Sequence, residues 1–170
     1  VYLLNVSKTG EIIWSRRYEN EGLFQSGNKI ITTTDGGFAI IGSTESAPGA
    51  SEDILLLKLD ANADEEWREV YGTPYTDAGQ GLAEIAGGFV LAANVKGDQS
   101  PDNDIAIYRV NETGSLLSTN VYGDESDNEN VNDLIKTQDG NILLVGSSNN
   151  FNNSSCVSAL FFVYPLAKSF

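Results

Sequence analysis

The chain repeats itself. One signature reads VYLLNVSKTGEIIWSRRY (1–18), ILLLKLDANADEEWREVYG (54–72) and IAIYRVNETGSLLSTNVYG (105–123), aligning Trp14 with Trp67 and Tyr71 with Tyr122. A second falls between these: TTTDGGFAIIGST (32–44), EIAGGFVLAANVK (84–96) and KTQDGNILLVGSS (136–148). Both recur at one period of roughly fifty residues, and two independent signatures sharing a period establish a true internal repeat. A unit of that size cannot bury its apolar surface alone, so copies must stack on copies.

Each period holds four short runs. In the middle copy they are GLAEIA (81–86), GFVLAAN (88–94), DIAIYRV (104–110) and SLLSTNVY (115–122), all too short for ordinary helices and therefore strands. Leu82, Ile85 and Ala86 have helical spacing, but Gly79, Gly81 and Gly87 surround them, and the first copy has β-branched residues there, from Ile30 to Thr34. Asp35-Gly36-Gly37 and Asp139-Gly140 fit tight hairpin turns, and Asn111 to Gly114 fits a type I turn closed by a glycine bulge.

The strands are apolar on both faces. In ILLLKL (54–59), Ile54 and Leu56 face one way and Leu55, Leu57 and Leu59 the other; FAIIG (38–42) and ILLVG (142–146) behave alike. With no helices to cover them, only other sheets can. Four-stranded antiparallel sheets stacked at one period make an all-β fold, a β-propeller. Trp67, flanked by Glu65, Glu66, Arg68 and Glu69, marks an outer, partly solvated strand. One domain over 1–170 is expected: the outer pair of one blade (1–18), two complete blades (28–72 and 79–123), and another over 131–170 with a third strand in SALFFVY (158–164) and a weak fourth in AKSF (167–170). That is a partial propeller of about three to four blades, or a piece of a larger one, since propellers close with about four to eight. Its open faces and unpaired edges call for a protein partner or further blades.

DILLLKLD (53–60), EEWREVYG (65–72), the following Asp77-Ala78 and TTDGGFAIIGST (33–44) resemble the tandem propeller repeats of secreted and surface proteins of bacteria, Bacteroidetes above all. The resemblance implies an inner strand before the Asp-Gly-Gly turn, an outermost Trp/Tyr strand, and an extracellular or outer-membrane-associated setting. Such repeats serve mostly as binding or scaffold modules and carry no single activity. SKTGEIIWS (7–15) is similar to the TG-x-x-x-W docking signature of quinoprotein-type propellers, although Ala63 replaces the glycine in copy two and Ser118 the tryptophan in copy three. Its likeness to the sialidase Asp box fails, because Gly10 to Trp14 is one residue too long.

Composition narrows function by exclusion. With 24 acidic residues against 10 basic ones and a formal charge of −14, the chain repels nucleic acid and anionic lipid. It has no histidine and one cysteine, Cys156, so His-based triads and zinc sites of N and S ligands cannot be built. Cys156 reads as a small buried hydrophobe. No signal peptide is visible after Val1, and VSALFFVYPL (157–166), interrupted by Pro165, falls short of the roughly 20 residues of a membrane helix.

Candidate sites resolve into structural roles. Asp60, Asn62 and Asp64 have the alternate spacing of a calcium loop but lack its glycine and closing glutamate, so a hairpin turn is expected. The acidic stretch 122–133, with Asp124, Glu125, Asp127, Glu129 and Asp133, reads as a solvated loop that attracts calcium or a basic partner only as the lesser alternative. Asp77 and Asp127 are expected to bond turn amides. Trp14, Trp67, Tyr18, Tyr71 and Tyr122 recur with the blade and so pack rather than stack sugars. No catalytic, cofactor or metal residue is assigned. The reading is a non-catalytic module that binds or scaffolds another protein; its alternatives are a glycan-binding or carboxylate-based glycan-processing propeller and a quinoprotein-like domain.

Overall fold

The computed structural model describes residues 1–20, 22–97, 102–123, 127–150, 155–157 and 163–164, and every regular element among them is a strand. β1 (Tyr2–Val6) and β2 (Ile12–Arg17) form a two-stranded sheet. β3 (Gln25–Thr32), β4 (Phe38–Glu45), β5 (Glu52–Leu59) and β6 (Glu65–Tyr71) form a four-stranded antiparallel meander, repeated by β7 (Ala78–Ile85), β8 (Gly88–Lys96), β9 (Asn103–Asn111) and β10 (Leu116–Tyr122). In the last sheet β11 (Asn128–Lys136) pairs with β12 (Ile142–Asn150), which also pairs with β13 (Ser155–Val157) and β14 (Val163–Tyr164). Of SALFFVY only Val163 and Tyr164 lie within the described residues, and AKSF lies outside them.

The first strand of each unit begins earlier than the apolar pattern marks, at Gln25, Ala78 and Asn128 rather than at 28, 79 and 131. The cause is a bulge at one repeated place, between Gly27 and Lys29, Gly79 and Gly81, and Val131 and Asp133. Asn28, Gln80 and Asn132 step out of the ladder there, which reverses the alternation of faces and hides the polar start of the strand.

Sheets stack face to face through three apolar clusters. Leu57 and Leu59 of β5 pack with Ile40, Tyr18, Leu3 and Trp14 against the first sheet. The alternate residues Ile54 and Leu56, with Ile41, pack on Leu82, Leu91 and Tyr108 of the third. The other face of that third sheet, Val90, Ile105 and Ile107, meets Val131, Leu134 and Ile142 of the fourth. Both faces of β4, β5, β8 and β9 are therefore buried, as their double-sided apolar pattern requires.

The first two stacking steps are also bolted by a tyrosine hydrogen bond at equivalent places. Tyr18 donates its hydroxyl to the Ala63 carbonyl at 2.7 Å, and Tyr71, at the same place one unit later, donates to Gly114 at 2.5 Å. The acceptors are the last residues of hairpin turns, where Ala63 holds φ 61° and Gly114 φ 81°. Ala63 adopts this unusual conformation with its methyl buried in the Trp14 and Tyr18 cluster, so packing offsets the strain. Burial raises the Tyr71 hydroxyl well above its ordinary range. Tyr71→Phe is expected to cost about 1–2 kcal/mol by leaving the Gly114 carbonyl without its donor, measured by urea unfolding against wild type.

The stack is not flat. Lys29 on β3 pairs with Asp133 of β11 and reaches the Leu134 carbonyl at 2.5 Å, skipping the sheet between. Sheets packed in parallel at about 10 Å would separate these strands by about 20 Å, beyond the span of the two side chains. The first strands therefore converge on one side of the molecule. Gly81 occupies the intervening place, and a Cβ there would sit 2.9 Å from the Leu134 backbone, so only glycine lets β7 and β11 approach this closely.

Candidate functional site

Two rims and two end faces remain where chemistry can occur. On the rim of hairpin turns, Asp60 Oδ1 accepts the amides of Asn62 and Asp64, both at 2.8 Å. Asn111 Oδ1 does the same for Ser115 at 2.8 Å, and Ser7 Oγ for Glu11 at 3.1 Å. The calcium-like triplet is thus a repeated side-chain-capped turn, as expected, with Asp64 ion-paired to Arg16. The Asp64 amide, with that of Asn62, holds the Asp60 carboxyl below its ordinary range.

The same rim contains a cation that sequence reasoning missed. Lys58 is buried, and its ammonium donates to Asp35 at 2.7 Å, Glu66 at 2.8 Å and the Leu59 carbonyl at 3.0 Å. That ammonium, with the Thr33 hydroxyl and Gly37 amide, holds the Asp35 carboxyl far below the usual carboxylate range. Beside it opens a cleft of about 470 Å³ lined by Thr34, Glu84, Phe89, Glu112 and Lys136. Glu84 is engaged there, accepting the Thr34 amide at 2.9 Å and its hydroxyl at 2.8 Å. The arrangement is not periodic: Arg109 takes the lysine's place in the next unit, Ala86 and Leu117 take those of the acids, and the Arg109 Nε is buried without a hydrogen-bond partner.

The opposite rim, where β5, β7, β9 and β11 begin, is rich in carboxylates. Asp77 is fully buried and accepts from the Thr73 amide, the Thr73 hydroxyl at 3.2 Å and the Lys96 amide at 3.3 Å, the turn-bonding role its position predicts. Burial raises its pKa against those bonds, and burial together with the charge of Asp77 raises that of Asp53. Asp127 is buried too. Asp124 and Glu125 lie outside the described residues, and so does the side chain of Cys156. Among the described residues no group of three or more His, Cys, Asp or Glu side chains gathers around one point.

The end faces are apolar. Tyr2 and Ile12, on the outer side of the first sheet, are 59% and 67% exposed, beside exposed Leu4 and Val6. The counterparts of Tyr2 and Leu4 on β5 are covered by the preceding sheet: Leu55 and Leu57 are each 1% exposed. At the other end of the stack Ile135 and Val145 are exposed next to Leu143, around a hollow of about 130 Å³.

Compared with protein-family models the chain matches none, and no curated protein matches it. Among the described residues no helix is long and apolar enough to cross a membrane.

Proposed function

We propose that the stack is an arc of β-propeller blades and that the chain is a non-catalytic, extracellular or outer-membrane-associated module that binds or scaffolds another protein. The observation that carries the reading is the bare outer face of β1 and β2. This pair matches β5 and β6 in sequence and in register, Asn5 lying opposite Trp14 as Lys58 lies opposite Trp67. Two further strands complete the equivalent sheets, and among the described residues none pairs with the outer side of β1, which offers an edge as well as an apolar face. The convergence of β3, β7 and β11 supports the arc, and the resemblance of the repeats supports the setting.

Purified from its native source, the protein is expected to carry a second polypeptide. Leu4→Asp combined with Ile12→Asp is expected to release it, with far-ultraviolet circular dichroism unchanged. A monomer that carries no partner refutes the reading.

A further inference from the structure

Gly72 and Gly123 hold equivalent places just after β6 and β10, and each lies beneath two carboxylates. A Cβ on Gly72 would collide with Asp53 Oδ1 and lie 3.0 Å from Asp77 Oδ2; on Gly123 it would collide with Asp104 Oδ1 and lie 3.0 Å from Glu129 Oε2. The paired oxygens thus face one small space in each case.

At Gly72 that space is served by donors, because Asp77 draws on the Thr73 amide and hydroxyl and the Lys96 amide. At Gly123 the Glu129 oxygen that faces the space has no donor. Glu129 is only 8% exposed; its Oε1 accepts the Ser148 hydroxyl at 2.6 Å, and its buried Oε2 has no hydrogen-bond partner. None of the ion pairs among the described residues includes Glu129. A buried carboxylate oxygen without a donor is strongly unfavourable, and a bound cation is one way to satisfy it.

We propose that Asp104 and Glu129, above the backbone of Gly123, bind a divalent cation, Ca²⁺ in preference to Mg²⁺. The ligands are hard oxygens on two different strands, and calcium accepts the irregular spacing and mixed carbonyl and water oxygens that complete such a site, whereas magnesium demands a near-ideal octahedron. The buried carboxyl of Asp127 in the same connection and the net charge of −14 deepen the local negative potential.

The test is calorimetric titration of calcium chloride into the full chain after EDTA treatment, at about 0.15 M salt, where loose counterion attraction is largely screened. One saturable equivalent is expected, weakened at least about tenfold by Glu129→Gln and by Asp104→Asn, and unchanged by Glu112→Gln on the opposite rim. Without calcium, Glu129→Gln is expected to melt no lower than wild type, because it removes one charge of the facing pair and its amide supplies a donor toward Asp104. Heat that never saturates, or Glu129→Gln binding as wild type does, overturns the site. Should Glu129→Gln fail to fold, Asp104→Asn binding as wild type does so equally.

Discussion

Leu56→Ala and Leu57→Ala are each expected to cost about 2–5 kcal/mol of unfolding free energy, although the two side chains point to opposite faces of one strand. Leu56 fills the cluster shared with the third sheet and Leu57 the cluster shared with the first. Neither is accessible to water, so each truncation removes the transfer free energy of three carbons and leaves a cavity that close-packed neighbours only partly fill. In a sheet with one wet face, consecutive residues alternate between costly and almost neutral. Two consecutive large losses are the energetic mark of sheets stacked on both sides. Leu116 and Leu117 on β10 form the control, being adjacent but exposed, with expected changes within about 0.5 kcal/mol. Urea unfolding monitored by the fluorescence of Trp14 and Trp67 reads all four. A loss below about 1 kcal/mol for either Leu56→Ala or Leu57→Ala means that one face of β5 is not packed.

The same contrast explains what the sequence made legible. Strand number, order and double-sided burial are written in local terms, through apolar runs such as ILLLKL and hairpin glycines such as Gly36 and Gly140, and the period repeats the message in every copy. The bulges were not legible, because Asn28, Gln80 and Asn132 look like strand ends when alternation breaks around them. Lys29 gives no hint of Asp133, two units away, since the unit between has Gly81 and so shows no periodic charge. Glu129 reads as one acid in an acidic loop. Its burial depends on Ser148 and Gly123, which become neighbours only through strand pairing and stacking. What local pattern cannot carry is a contact formed once, between elements that the repeat treats as interchangeable.

Lys58 is the strongest example of such a contact, and its energetics are asymmetric. The side chain of Lys58 is 6% exposed, while those of Asp35 and Glu66 are 55% and 44% exposed. Removing both acids with Asp35→Asn and Glu66→Gln leaves an ammonium that water cannot reach, and is expected to cost about 3–5 kcal/mol. Removing the ammonium with Lys58→Met leaves two carboxylates that hydrate in place, in a slot that a flexible thioether fills, and is expected to cost less than about 1.5 kcal/mol. Acid narrows the gap in a defined direction. Because the folded Asp35 carboxyl lies below its unfolded value, its contribution is complete above the ordinary carboxylate range and drains away as pH falls toward the depressed folded value. The Asp35→Asn single variant is therefore expected to lose about 1 kcal/mol against wild type at pH 7, since water screens so exposed a carboxylate, and progressively less below pH of about 4. Urea unfolding at both pH values measures each difference. Lys58→Met proving more damaging than the double acid variant would mean that the ion cluster contributes net stability of its own; the opposite order means that its acids serve chiefly to make a buried charge tolerable.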